Sequence, residues 1–190
     1  IDGSVDGSYN PAFDLHFKVS APGMETATVL GSIDNKGVGK IVMKSDAVDL
    51  APYHPLALRY GQVKEAAGLV TDIDGEWSND GKNTVLKGKM NLRDIRGSYQ
   101  MKDQDVPFRI TGAVSSADHV ISTDQLQVSI NGQTAVLSGT VDIHDLDNPE
   151  GHLSLRSEKV SYKGETLTNV EAEAVMAGNK AAVNYFSAAY

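Results

Sequence analysis

The 190-residue sequence predicts an all-β fold: an elongated, curved antiparallel sheet whose apolar side forms a groove, with at most one short helix near residues 53–60. Three observations predict it. Apolar residues alternate with polar ones through most of the chain, and a period of two puts them on one side of a strand. Turn signals rich in Gly, Asn and Asp interrupt the alternation at intervals of roughly 8–14 residues, which suits about a dozen short strands. Segments also recur: Asp80–Asp94 (DGKNTVLKGKMNLRD) returns without a gap as Asn131–Asp145 (NGQTAVLSGTVDIHD), 51 residues on, the difference between positions 132 and 81.

Each copy of that unit opens on a turn dipeptide, Asp80-Gly81 or Asn131-Gly132. Both accept the positive φ of a type I′ turn, whose twist suits a hairpin. Leu86, Gly88, Met90 and Leu92 then share one side of a strand, as do Leu137, Gly139, Val141 and Ile143. Two fainter echoes link Asn10–Lys18 to Asn148–Arg156 and Lys44–Leu50 to Arg156–Tyr162. Degenerate repeats of this size predict an array made by stacking one supersecondary unit.

In chain order, Ile1–Gly7 reads as a strand, and after Asn10-Pro11 the run Phe13, Leu15, Phe17, Val19 alternates with Asp14, His16, Lys18, Ser20. Pro22-Gly23 turns it; Ala27, Val29, Gly31 and Ile33 make the next strand, and Asn35-Lys36-Gly37 leads to Ile41 and Met43. Between Val48 and Tyr60 two prolines precede good helix formers, so a short helix fits Tyr53–Tyr60, with Pro55 in its first turn where the missing N–H costs nothing. Its expected task is to cover an end or edge of the sheet. Strands resume through Ile73, Gly75 and Trp77, then the first repeat strand, then Tyr99 and Met101 into a charged turn at Lys102–Asp105. Phe108, Ile110, Gly112 and Val114 alternate, Ser115–Asp118 turns, and Leu126, Val128 and Ile130 lead to the second repeat strand. Leu153 and Leu155, Val160 and Tyr162, Val170 to Met176, and Val183 to Phe186 complete the series, with turns at Lys163-Gly164-Glu165 and Gly178-Asn179.

The charge balance narrows the function. A net charge of −8 with Lys and Arg scattered singly leaves no basic stripe for nucleic acid or for anionic lipid heads. There is no cysteine, which removes disulfides and thiolate metal sites. No apolar run approaches the roughly 20 residues needed to span a bilayer as a helix. Strand-like sequence at Ile1 and at Tyr190 reads as a piece of a longer protein, with residues 1–190 forming a single repetitive β-groove segment.

Candidate chemistry is thin. His16, His54, His119, His144 and His152 are dispersed without the HxH or HxxxH spacing of a zinc site, and His16, His144 and His152 fall at outward positions or in turns. Asp142, Asp145, Asp147, Asn148 and Glu150 crowd the loop 142–150 with oxygen ligands that would suit calcium, yet the glycine and terminal glutamate of an EF-hand loop are missing, and an acidic turn at the solvent end of a hairpin is the commoner explanation. No GxSxG elbow, cysteine nucleophile or phosphate loop is present. The expectation is a non-enzyme without cofactor or metal.

What stands out is the apolar stripe. Its columns mix Leu, Ile, Val and Met with Gly31, Gly88, Gly112, Gly139, Ala172 and Ala174, and aromatic residues are only 6% of the chain. Glycine inside strands permits bending and the close approach of a ligand or another backbone. A curved sheet with an open apolar face fits, and such a face is normally a binding site. The other reading is an ordinary sandwich core. A carbohydrate-binding sandwich would need an exposed aromatic platform, and Trp77 lies in phase with the apolar side instead.

The turn-then-strand segment Gly81–Asp94, the stretch from Gly139-Thr140-Val141-Asp142-Ile143 through Asn148-Pro149 to Glu158, and Val48-Asp49-Leu50-Ala51-Pro52 before a short helical piece together resemble the AsmA-like superfamily, which includes the TamB proteins. The likeness covers most of the chain. It implies a taco-like sheet in a bacterial envelope protein that is anchored in the inner membrane, extends through the periplasm and conducts phospholipid to the outer membrane. For TamB-like members it also implies an outer-membrane β-barrel partner. Acyl chains would lie on Phe13, Leu15, Phe17, Val29, Ile41, Met43, Leu86, Met90, Leu92, Phe108, Ile110, Leu126, Val128, Ile130, Leu137, Val141, Ile143, Leu153 and Leu155. The alternative is a structural module with a closed core and no lipid, assisting outer-membrane protein assembly. Raw sheet edges also predict an edge-to-edge homodimer.

Overall fold

The computed structural model describes residues 12–61, 63–101, 104–145, 148–178 and 180–190. The strand read at Ile1–Gly7 and the Asn10-Pro11 turn lie outside them, as do Lys102, Asp103, Asp147 and Asn179 of three expected turns. Eleven strands form one sheet: β1 (Ala12–Ala21), β2 (Met24–Asp34), β3 (Gly39–Asp49), β4 (Val63–Asn79), β5 (Thr84–Met101), β6 (Gln104–Ala117), β7 (Val120–Ile130), β8 (Gln133–Asp142), β9 (Glu150–Tyr162), β10 (Glu165–Ala177) and β11 (Lys180–Ala189). Their order in space is their order in sequence, every pair is antiparallel, and the sheet is open, not closed into a barrel. With ten spacings of ~4.8 Å it measures about 48 Å across the strands.

The strands are 10 to 18 residues long, not the short ones expected. The reason is that residues typical of turns, such as Asp74-Gly75 and Gly97-Ser98, sit inside β4 and β5 without breaking them. In place of breaks there are bulges. Asp72 and Asp94 adopt φ of 54° and 53°, a left-handed conformation that Asp and Asn tolerate better than other side chains, and the pairing of β4 with β5 and of β5 with β6 slips by one residue at these points. Each slip restores the apolar phase: Leu92 pairs Gly112 before the bulge and Ile95 pairs Ile110 after it.

The turns follow their chemistry. Asn131 and Gly132 have φ of 50° and 79°, as a type I′ turn requires. Asp80-Gly81 differs from the expectation. Only Gly81 is left-handed, and the connection is a longer loop in which the Asp80 carboxylate accepts the N–H groups of Lys82 (2.8 Å) and Asn83 (2.7 Å). Ser115–Asp118 is also corrected, since β6 runs on to Ala117 and only Asp118 and His119 turn.

Ala51–Tyr53 forms a 3-10 turn, with Pro52 at its start, and leads into α1 (His54–Gly61), where Pro55 occupies the first turn. The segment is tied down by Leu50 N–H to Gly68 O (2.9 Å) and Asp49 N–H to Gly23 O (2.6 Å). α1 rests against β4, so it covers the end of an interior strand and not an outer strand of the described sheet.

Candidate functional site

Directly opposed residues in an antiparallel pair point to the same side of the sheet. One such line crosses all eleven strands: Phe17, Val29, Met43, Gly75, Gly88, Ser116, Ile121, Val141, Gly151, Met176 and Ala181. A second joins Leu15, Gly31, Ile41, Trp77 and Leu86; a third joins Leu126, Leu137, Leu155, Ala172 and Phe186. Phe108 pairs Ile130, Ile110 pairs Val128, Gly139 pairs Leu153, Met90 pairs Val114, and Phe13 pairs Ile33. Alternation along each strand therefore puts Phe13, Leu15, Phe17, Val29, Ile41, Met43, Leu86, Met90, Leu92, Phe108, Ile110, Leu126, Val128, Ile130, Leu137, Val141, Leu153 and Leu155 on one side. Ile143 lies one residue past β8, its N–H donated to His119 O (2.9 Å), and is not a strand position.

Nothing in the described chain covers this side. Among the described residues the strands pack chiefly against their sequence neighbours, and no large side chain is fully buried. Among the described residues the buried apolar ones are Ala27 and Val170, while Leu86 and Ile130 keep 54% and 52% of their surface in contact with solvent. The whole chain exposes 13054 Å², against about 8,800 Å² for a compact monomer of its mass. A second layer would have closed that difference.

The opposite side is charged and self-neutralising. Lys44, Asp74 and Lys89 stand opposite one another on β3, β4 and β5, with Nζ–O distances of 3.9 and 2.9 Å, and Lys40 meets Glu76 at 2.7 Å. The Lys89 ammonium holds the Asp74 carboxyl below its ordinary range and is itself pushed up, and the Glu76 carboxyl is lowered chiefly by its hydrogen bond with the Lys40 ammonium. Asp72 is lowered chiefly by the Asn91 amide (2.7 Å), then by Thr71 and Arg93. At the next bulge Asp94 bridges Arg96 (3.2 Å) and Arg109. A depression of about 480 Å³ lies among Val42, Lys44, Asp74, Glu76, Lys87 and Lys89. Its carboxylates offset most of its ammonium charge, so it offers little net field to an ion. Sequence reasoning passed over this ladder, although like charges at spacings of two (Lys87 and Lys89; Asp72, Asp74 and Glu76) mark it.

The loop 142–150 uses its oxygens internally. Asp142 Oδ1 accepts His144 N–H (2.8 Å) and Asp145 Oδ2 accepts the Asn148 amide (3.0 Å); Asp147 lies outside the described residues. The rings of His119 and His144 pack edge to face at 4.7 Å, a pairing that sequence spacing does not reveal. Among the described residues no three His, Cys, Asp or Glu converge as metal ligands, and no helix is long and apolar enough to cross a membrane. Compared with known proteins, the chain matches no family model, no curated protein and no solved structure.

Proposed function

We propose that the uncovered apolar side of this sheet binds phospholipid acyl chains, as part of an envelope protein anchored in a bacterial inner membrane and extending through the periplasm. The chain would serve as one length of a conduit between inner and outer membranes, with an outer-membrane β-barrel as a further partner of the longer protein. The observation that carries this reading is an apolar side eleven strands wide over which the described residues place no second layer. The resemblance of Gly81–Asp94 and Val48–Pro52 to the AsmA-like superfamily adds to it.

The mechanism needs no catalytic group. Each methylene of an acyl chain taken from water by the leucine, valine and methionine side chains gains about 0.8 kcal/mol, while a head group stays in solvent beyond the sheet. Since the apolar positions line up from strand to strand, with Gly75, Gly88 and Gly151 leaving low ground between bulkier residues, a bound chain could pass from one strand to the next along the same side. Movement then requires no large barrier. The alternative, a scaffolding module with a closed core, would require a layer that the described residues do not supply.

Purified protein examined by native mass spectrometry should carry phospholipid. Leu137→Asp should lose it while keeping the wild-type strand signal in circular dichroism. Equal lipid loading of wild type and variant overturns the proposal.

A further inference from the structure

The dipeptides Asp80-Gly81 and Asn131-Gly132 open the two echoed segments, but the structure treats them differently. The Asp80 carboxylate accepts the N–H groups of Asn83 (2.7 Å) and Lys82 (2.8 Å), which hold it ionised and below its ordinary range. The Asn131 side-chain amide has no hydrogen-bond partner among the described residues, and none of them accepts the Gly132 N–H. Both residues are exposed, and no atom lies within 4 Å of where a Cβ on Gly132 would stand. An unshielded amide thus sits beside an unshielded backbone nitrogen whose own residue has no side chain to crowd it.

From this turn we infer a site of spontaneous covalent modification: Asn131 converts through a cyclic imide to isoaspartate and aspartate, with water as the sole co-reactant. The Gly132 nitrogen attacks Cγ of Asn131 and forms the new C–N bond. The bond from Cγ to Nδ2 breaks, and the Gly132 proton departs with that nitrogen as ammonia. Water then opens the imide. Cleavage between Cγ and the Gly132 nitrogen gives aspartate; cleavage at the main-chain carbonyl gives isoaspartate. Nothing is oxidised or reduced.

The attack needs a free nitrogen on the following residue, and the other described asparagines lack one or are crowded. Lys36 N–H donates to Asp34 Oδ1 (2.8 Å), which protects Asn35, and Asp80 N–H donates to Asn83 O (3.2 Å), which protects Asn79. Asn148 precedes Pro149, which has no N–H. Asn91 commits its amide to Asp72 (2.7 Å), and Asn83, Asn169 and Asn184 precede the bulky strand residues Thr84, Val170 and Tyr185.

Ring closure requires Asn131 to leave its left-handed conformation (φ 50°), so the turn must open. Its flanks are held. Asn131 N–H donates to Pro107 O (2.8 Å), and the Gln133 side chain donates to Ser161 O (2.6 Å) and accepts Ser161 N–H (3.2 Å). The folded chain therefore reacts more slowly than a free peptide of the same sequence. Isoaspartate adds a carbon to the main chain of the turn that joins the paired residues Ile130 and Gln133, which type I′ geometry does not accommodate.

The test keeps the whole folded chain in warm, mildly alkaline buffer for days to weeks. Each asparagine peptide is then scored by mass spectrometry for exchange of amide for acid. Acid at Asn131 should exceed that at all the other described asparagines together, with isoaspartate among the products by electron-transfer fragmentation. A synthetic peptide covering residues 126–137 should convert faster. Lys36→Gly makes a second Asn-Gly pair whose nitrogen is held by Asp34, and Asn35 in that variant should still convert more slowly than Asn131. An Asn131 that stays an amide while the peptide converts overturns the inference. So does acid spread evenly over the asparagines, a product that is aspartate alone, or an Asn35 that matches Asn131 in Lys36→Gly.

Discussion

β3–β4 and β9–β10 are built alike, whereas β5 and β8, which share the clearest sequence echo, are not. In the first comparison Ser45 faces Ile73 and Ser157 faces Val170. Both serines are buried, and each hydroxyl donates to a carbonyl of the preceding strand, Glu25 O at 3.4 Å and Thr134 O at 2.7 Å. The facing strands carry Thr71-Asp72-Ile73 and Thr168-Asn169-Val170, with Asp72 and Asn169 left-handed at φ 54° and 49°. The faint echo between Lys44–Leu50 and Arg156–Tyr162 thus marks a structural repeat six strands long. The strong echo at an offset of 51 residues spans three strands, so β5 and β8 run in opposite directions. An antiparallel meander can repeat as a unit only over an even number of strands; over an odd number, a shared pattern reports shared exposure and nothing more.

The sharpest way to break this comparison is to substitute the echoed glycines. At Gly139 φ is 141° and an added Cβ would run into His152 O of the next strand; at Gly88, its counterpart, the first obstacle is the movable Ser116 hydroxyl at 3.0 Å. Gly139→Ala should cost about 3 kcal/mol and lower Tm by roughly 6–12 °C, while Gly88→Ala should cost under about 1 kcal/mol. Equal losses in thermal melts would mean that the two positions are structural equivalents after all.

A middle-sized effect tests the six-strand repeat. Ser157→Ala removes a short bond from a buried hydroxyl to Thr134 O and should cost about 1 kcal/mol. Ser45→Ala removes a longer bond and should cost roughly half as much. If either serine proves neutral in denaturant unfolding, the buried hydroxyl is not what the repeat preserves.

Much of this was legible in the sequence. The period-two alternation gave the fold class and placed Leu86, Leu137 and Leu153 on a common side, and Pro52 with Pro55 marked the helix. The bulges were not legible, because an Asp at a left-handed position such as Asp94 looks like any exposed strand residue until its pairing is known. Asp80-Gly81 was misread for a related reason: its carboxylate binds backbone N–H groups and builds a longer loop, an option that the dipeptide alone does not exclude. The lining role of the apolar residues depends on what lies above them, which no alternation pattern encodes.

The smallest effect separates the charged ladder on β3–β5 from the sparser β9–β10, where Arg156 and Glu171 pair at 3.4 Å. Asp72, Asp74, Glu76 and Asp80 are all lowered, so their contribution is complete above their unfolded values, near pH 4, and is lost as pH falls through the lower folded ones. Lys89 is raised, so its share is complete below about pH 10 and is lost as pH rises through its folded value. Asp74→Asn should flatten both limbs of a Tm–pH profile, and Glu171→Gln should leave the alkaline limb unchanged. An unaltered profile for Asp74→Asn would show that the ladder is not coupled to folding.

The central claim, that one side of the sheet is an open seat for acyl chains, is tested most directly by a phospholipid carrying a photoreactive group in its acyl chain. Irradiated with the purified protein and mapped by peptide mass spectrometry, it should label residues such as Leu86, Met90, Leu137, Val141 and Leu153 and spare the side bearing Lys44, Asp74 and Lys89. Adducts spread evenly over both sides, or no adducts above those on an unrelated soluble protein, would contradict it.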